Sequence, residues 1–298
     1  MIYLVLRGRI GNQLFMYAYA NEIRNSLDEK IIIDDSEVLK LGWENSLINY
    51  NLINVEYVHN RKWASSFFKQ LFIDTWHQRR ILKMPFMKKY QYQKKKSTKF
   101  QENGVIAFEN GFFKFQRCTE NVLLDGYFQS DKYFANSIDS IRRQYNLDNE
   151  KILWDYPSID SIIHRNSICI SIKIEHNVGS SLYDVCTKEY WEKAISYIIK
   201  KVKNPLFFIC SDNVEYVKDN LIDCSKYDVI EQNTKYPVHI SLAAMSKCKH
   251  FIIGNTSFGW WAQYLSENDE KIVVAPSKWM NVEMPIDIYQ DGWVKIDV

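Results

Sequence analysis

Apolar residues recur along this chain in two rhythms, and the change from one to the other marks out its elements. Residues 168–177 read ICISIKIEHN. Ile168, Ile170, Ile172 and Ile174 share one side of an extended segment and Cys169, Ser171, Lys173 and Glu175 the other, because successive side chains of a strand point to opposite faces. One face therefore packs on a core. The other ends in charge, and is either a solvated sheet face or the wall of a site in which a buried cation meets an anion.

Further strand-like runs at 206–210 (LFFIC), 228–230 (DVI), 250–254 (HFIIG) and 271–275 (KIVVA) alternate with helical patterns near 187–203, 213–221, 238–247 and 258–267. Repeated alternation of this kind, with strands almost wholly apolar, predicts a parallel sheet covered on both faces. The amino-terminal half begins alike, with IYLVL, a turn at RGRIGN, a helix through 12–26 and a strand KIIID at 30–34. Its middle is irregular, but VIAF (105–108) and VLLDG (122–126) read as strands and 131–145 as a helix. The polar stretch 146–162 contains Pro157 and lacks periodicity, so the domain boundary is placed there. The expectation from the pattern is an α/β protein of two domains, residues 1–150 and 151–298, the second of them doubly wound.

A length of 298 residues suits two domains of about 150 residues each. A composition 46% hydrophobic and 25% charged is that of a globular protein rather than a disordered one. The net charge of +2 conceals a basic insertion around 76–100, where Arg79, Arg80, Lys83, Lys88, Lys89, Lys94, Lys95, Lys96 and Lys99 occur with no acid among them. With aromatic residues interleaved, this run is either a solvated surface or a seat for anionic lipid headgroups. No nucleic-acid partner is expected. Six cysteines are scattered without CxxC or CxxH spacing, which argues for reduced core thiols and against a zinc site. The first apolar run is too short for a signal segment and no run approaches a membrane span. The expected location is the cytoplasm, with the inner membrane face as a peripheral station.

In open parallel sheets ligands bind beyond the carboxyl ends of the strands. Those ends carry Lys173, Glu175, His176 and Asn177, then Ser211, Asp212 and Asn213, then Asn255, Thr256 and Ser257, then Pro276, Ser277 and Lys278. The run GNTSFGWWAQYL is the most informative, since Gly254 ends a strand and three small polar residues open a helix whose free N–H groups suit a phosphate. Trp260 and Trp261 are expected as packing residues. A second turn, LRGRIGNQLF, with Asp34 and Asp35 after the next strand, mimics a dinucleotide fingerprint but has Ile10 and Gln13 where glycines are needed. Asn12 and Gln13 instead offer side-chain amides to a sugar hydroxyl or a phosphate oxygen. Asp34 and Asp35 are either proton acceptors for an acceptor hydroxyl or a solvated strand end. His59, His77 and His164 show no evident partners and are expected at the surface. His239 and His250 read as structural, and His176 as the histidine placed for chemistry.

GRIGNQLFMYA, DGYFQSDKYF (125–134), FFICSDNVEYVKDNL (207–221), MSKCKHFIIGNTSFGWWAQYL (245–265) and KIVVAPSKWM (271–280) together resemble, in order and spacing, the motifs of α-1,2-fucosyltransferases, glycosyltransferase family 11. The resemblance spans almost the whole chain. It implies a GT-B-like architecture, two Rossmann-like domains facing a cleft, the second binding GDP-fucose and the first the acceptor. It also implies transfer of L-fucose with inversion and without a metal or other cofactor, in synthesis of a surface polysaccharide such as an O-antigen or capsule.

Carried onto this chain, the catalytic candidates are Lys173, His176 and Glu175. The donor-binding candidates are Gly11, Asn12, Gln13, Ser211, Asp212, Asn255, Thr256, Ser257 and Phe258. Asp34 and Asp35 stand on the acceptor side. The chain departs from the family's His-x-Arg-Arg-x-Asp motif, placing Ser171 at its His, Lys173 and Ile174 at its two Arg, and His176 at its Asp. Lys173 can neutralise a phosphate as a point charge but lacks the fork of a guanidinium. Two consequences stay open, a different nucleotide-sugar donor or a non-catalytic binding protein on the same fold.

Overall fold

The structure is a computed structural model that describes residues 1–25, 29–60, 86–108, 111–117 and 119–298. Arg79, Arg80, Lys83, His77 and Cys118 lie outside the described residues. The chain divides into two compact units, Met1–Tyr145 with Glu283–Tyr289, and Asn146–Val282 with Gln290–Val298.

The amino-terminal unit is built on a sheet of β1 (Ile2–Val5), β2 (Ile31–Asp34), β3 (Val55–Val58), β4 (Val105–Ile106) and β5 (Val122–Leu124) in the order β3-β2-β1-β5-β4. Its pairings are all parallel. β1, in the centre, is buried at every residue, which is why it is apolar without alternation. β3 is an edge strand with Glu56 exposed and was not predicted, because its mixed VEYV pattern is that of a strand with one wet side. The helix expected over 131–145 is broken into a 3₁₀ turn at Asp131–Tyr133 and a helix at Ile138–Tyr145. Between them Asn136 and Ser137 donate to the Glu22 carboxylate at 2.7 and 2.5 Å. Short polar side chains so engaged favour a helix end over a helix interior.

The carboxyl-terminal unit carries β6 (Asn166–Ile172), β7 (Pro205–Ser211), β8 (Val229–Glu231), β9 (His250–Ile253), β10 (Val273–Pro276) and β11 (Val294–Ile296), ordered β11-β10-β9-β6-β7-β8 and parallel throughout. Read from β8, this is the doubly wound order with its reversal between β6 and β9. β6 runs down the middle, pairing Ile172 with Ser211 of β7 and Ser171 with Ile253 of β9. The two faces of β6 are both dry. Ile168, Ile170 and Ile172 join a core cluster with Trp191, Ala194 and Ile195 from the helix Lys188–Ile199. That helix forms because Tyr190, Trp191, Ala194, Ile195 and Ile198 repeat at helical spacing and make one apolar stripe. Cys169 and Ser171 face the other layer and are equally buried, so this face is not solvated, and the strand stops at Ile172 with Lys173 just beyond it.

Trp260 and Trp261 of the helix Ser257–Leu265 are fully buried, with the Trp260 ring stacked on Tyr264 at 4.6 Å. They serve as packing residues, each contributing about 2–3 kcal/mol of burial. Cys169, Cys186, Cys210, Cys224 and Cys248 are free thiols. No helix among the described residues is long and apolar enough to cross a membrane.

Candidate functional site

The reversal point of the carboxyl-terminal sheet brings the end of β6 beside the end of β9. After β9 the chain turns through Gly254, Asn255 and an extended Thr256 into the helix Ser257–Leu265. Thr256 caps that helix, its hydroxyl accepting from the Gly259 N–H at 2.9 Å. The Trp260 N–H already bonds to the Thr256 carbonyl. The N–H groups of Ser257 and Phe258 are left at the helix start with no intrahelical acceptor, at the positive end of the helix dipole, which is an arrangement that suits a phosphate. The turn depends on missing side chains. A Cβ at Gly259 would stand 2.7 Å from the Ser171 hydroxyl, and one at Gly254 would stand 3.2 Å from Trp191. Without them the helix begins flush against β6.

Asn255 does not face outward. It is buried, donates to the carbonyls of Tyr183 and Trp279 at 3.0 Å each, and accepts from Asn177 at 3.1 Å and from the Cys186 thiol. It thus ties the loop after β6 to the turn after β9, and burial pushes the Cys186 thiol up to about 12. A depression of about 280 Å³, counting its open mouth, is lined by Ile172, Lys173, Asn177, Trp191, Gly254 and Asn255.

Lys173 is not a lone ammonium. Its Nζ is paired with Asp212, and Glu175 lies 3.8 Å away. Asp212 in turn accepts from the backbone N–H groups of Ile174 at 2.8 Å and Glu175 at 3.2 Å. The cause is register. Ile172 is paired with Ser211, so the residues just past the two strands lie side by side. The Lys173 and Asp212 side chains keep 26% and 21% exposure, so water and an incoming anion reach both. Ser211 accepts from the Asn213 N–H, and Asn213 caps the next helix. Glu175 and His176 are exposed, and His176 holds a left-handed backbone at φ +68°.

At the carboxyl edge of the amino-terminal sheet the expected groups are mostly engaged internally. Gln13 is fully buried, donates to the carbonyls of Gly8 and Glu44 at 2.9 Å each, and accepts from the Ser46 N–H at 2.8 Å. Its amide therefore has no hydrogen left for a sugar. Asn12 accepts from Gln129 at 2.7 Å, and Gly11 lies buried inside the helix Ile10–Asn25. Arg7 meets the buried Asp125 at 2.9 Å. Asp34 and Asp35 are buried rather than a solvated strand end. Asp34 accepts from the Ser36 N–H, while Asp35 accepts from Asn45 at 3.0 Å and pairs with His59 at 2.8 Å. His59 was expected at the surface without a partner, and β3, which delivers it, was not predicted. A histidine closing a strand next to one that closes on Asp-Asp was the available signal.

The model of the family described as Glycosyl transferase family 11 matches residues 1–297. The chain belongs to this family. It is a glycosyltransferase. It is 26% identical to the O-antigen biosynthesis glycosyltransferase WbnK of Escherichia coli, covering 99% of this chain and 100% of that protein. It is 27% identical to an Escherichia coli alpha-1,2-colitosyltransferase, covering 98% and 97%. Among solved structures, fucosyltransferase NodZ from Bradyrhizobium shares the fold with a TM-score of 0.52 at 11% identity, covering 88% of this chain and 92% of that one. The α/β architecture of this family 11 member, two parallel sheets with helices, is GT-B-like.

Proposed function

We propose that this glycosyltransferase moves L-fucose from GDP-fucose to a hydroxyl of an acceptor glycan, with inversion, during synthesis of a surface polysaccharide. The observation that carries the reading is the meeting, at one reversal point, of a helix start with two free N–H groups and the ammonium of Lys173. In the proposed reaction the acceptor oxygen attacks the anomeric carbon as the bond to the β-phosphate breaks. The charge left on the diphosphate is met by the N–H groups of Ser257 and Phe258 and by Lys173, which turns from Asp212 toward it. Asn255 and Thr256 hold that turn in shape, and His176 lies on the side of the nucleoside.

The likeness to an O-antigen glycosyltransferase supports the polysaccharide setting. The exposed Lys88, Lys94, Lys95 and Lys99 of the helix Phe86–Glu102 support a peripheral seat on an anionic membrane from the cytoplasmic side. A second reading, a related donor such as nucleotide-linked colitose, is favoured by the colitosyltransferase likeness. Calorimetry and turnover with GDP, GDP-fucose and GDP-linked colitose separate the two. Turnover of the fucose donor is the expected result, turnover of colitose alone selects the second reading, and no GDP binding at millimolar concentration removes both. Vesicles containing anionic lipid should retain the protein at low salt, and indifference to lipid charge would end the membrane proposal.

A further inference from the structure

Just past the end of β6, donors on three consecutive residues converge on one carboxylate of the same compact unit. One oxygen of Asp212 accepts from the Ile174 N–H at 2.8 Å, and the other accepts from the Glu175 N–H at 3.2 Å and from the Lys173 ammonium. The Asn177 and Val178 N–H groups close this turn onto the Ile174 carbonyl at 3.2 and 3.1 Å, which fixes the donors relative to one another. Successive backbone N–H groups beside an ammonium make a seat for an anion such as a phosphate. Here the chain's own carboxylate sits in it. Glu175 brings a second carboxylate to within 3.8 Å of Lys173, so negative groups outnumber the one cation. A diphosphate that reaches Lys173 from the depression it also lines must therefore displace Asp212 against like charge. Because two backbone bonds keep Asp212 beside the ammonium, it competes at a high effective concentration.

We infer that Asp212 is an internal competitor of the diphosphate for Lys173, and that it speeds release of the nucleoside diphosphate product. The inference rests on the donor site proposed above and adds what that site does after transfer. While the donor is bound, the ammonium faces the diphosphate. Once the sugar has left, Asp212 takes the ammonium back and the product loses a charge-assisted contact. Release of product limits many enzymes, so a built-in competitor at this point acts on turnover. The two roles open to Asp212 differ in sign. Loss of a donor ligand weakens binding, and loss of a competitor strengthens it.

The test compares the full-length wild type with Asp212→Asn, reading GDP affinity by calorimetry and GDP release by stopped flow. An asparagine keeps an oxygen for the Ile174 N–H, so the turn should hold and the thermal midpoint should stay near that of the wild type. GDP should bind at least about fivefold more tightly, with most of the gain in slower release. Inorganic pyrophosphate should gain by a similar factor, because the competition concerns charge and not the nucleoside. Asp212→Ser, equally uncharged and with a hydroxyl that can accept from the same N–H, should repeat the gain. Loosening of the turn can only weaken GDP, so a gain separates competition from a merely structural role. GDP affinity of both variants equal to or below that of the wild type would overturn the inference and leave the donor site standing. Failure of wild type and variants alike to bind GDP at millimolar concentration would bring down both.

Discussion

Both sheets are parallel and both step back strand by strand to a central first strand, β3-β2-β1 in one and β8-β7-β6 in the other, but they differ in what lies beyond the point where that order reverses. At the β1/β5 reversal the space beyond the strands is filled by the Arg7–Asp125 ion pair, while the nearby amide of Gln13 closes onto backbone. At the β6/β9 reversal the corresponding place is a shallow depression lined by Lys173, Gly254 and Asn255, and the helix Ser257–Leu265 starts just beyond it. Glycine use follows the same division. Gly8, at φ +66°, lets the chain double back, and a Cβ there would strike the Asn12 side chain at 2.5 Å. Gly259 instead lets a helix lie against a strand. One turn is closed by its own side chains and the other is the turn proposed above to receive a diphosphate, so a parallel sheet with a reversal point does not by itself make a ligand site.

The comparison breaks first at Gly259. Gly259→Val forces the helix off Ser171, and overpacking of this kind is expected to cost about 3 kcal/mol. Urea unfolding should show that loss and GDP titration a fall of more than about tenfold in affinity. Gln13→Ala sharpens the other side. Leaving a buried N–H and two carbonyls without partners should cost about 2 kcal/mol of stability, while GDP affinity of the folded fraction stays within twofold of wild type. A large loss of GDP affinity there would mean that the amino-terminal turn holds the nucleotide.

Lys173→Met removes one charge-assisted contact and should weaken GDP binding about tenfold with little change in stability. The smallest effect concerns His250, whose Nδ1 accepts the Ile272 N–H at 3.1 Å and whose pKa is lowered by burial and then by Lys249. The unfolded chain binds that proton more readily, so the stability His250 contributes is present above the ordinary histidine pKa and is lost as pH falls through its lowered one. Because the ring is half-buried the effect is well under about 1 kcal/mol. The midpoint of thermal unfolding should drop by about 1–2 °C more in wild type than in His250→Gln over that range.

Periodicity made much of this fold legible. The alternation of β6, the apolar stripe of Lys188–Ile199 and the small polar turn before Trp260 are local patterns whose physics is local. What stayed hidden was contact between distant positions. Lys173 meets Asp212 because β6 and β7 are in a given register, and His59 meets Asp35 because β2 and β3 are. Register in a parallel sheet is set by the crossover and the packing of helices on both faces, so no short window contains it. The same blindness made Gln13 look available, since its partners at Glu44 and Ser46 arrive from a loop some thirty residues on.

The central claim is that the start of the helix Ser257–Leu265 holds a diphosphate through its backbone. Ser257 is the first helical residue, where proline is accepted, and Thr256 before it is extended at φ −129° and ψ 137°, as a residue preceding proline should be. Ser257→Pro therefore deletes one N–H while keeping the helix, and Ser257→Ala controls for the lost hydroxyl. Calorimetric titration with GDP should show Ser257→Ala close to wild type and Ser257→Pro weaker by at least about tenfold. Equal affinity of Ser257→Pro and wild type would contradict the account.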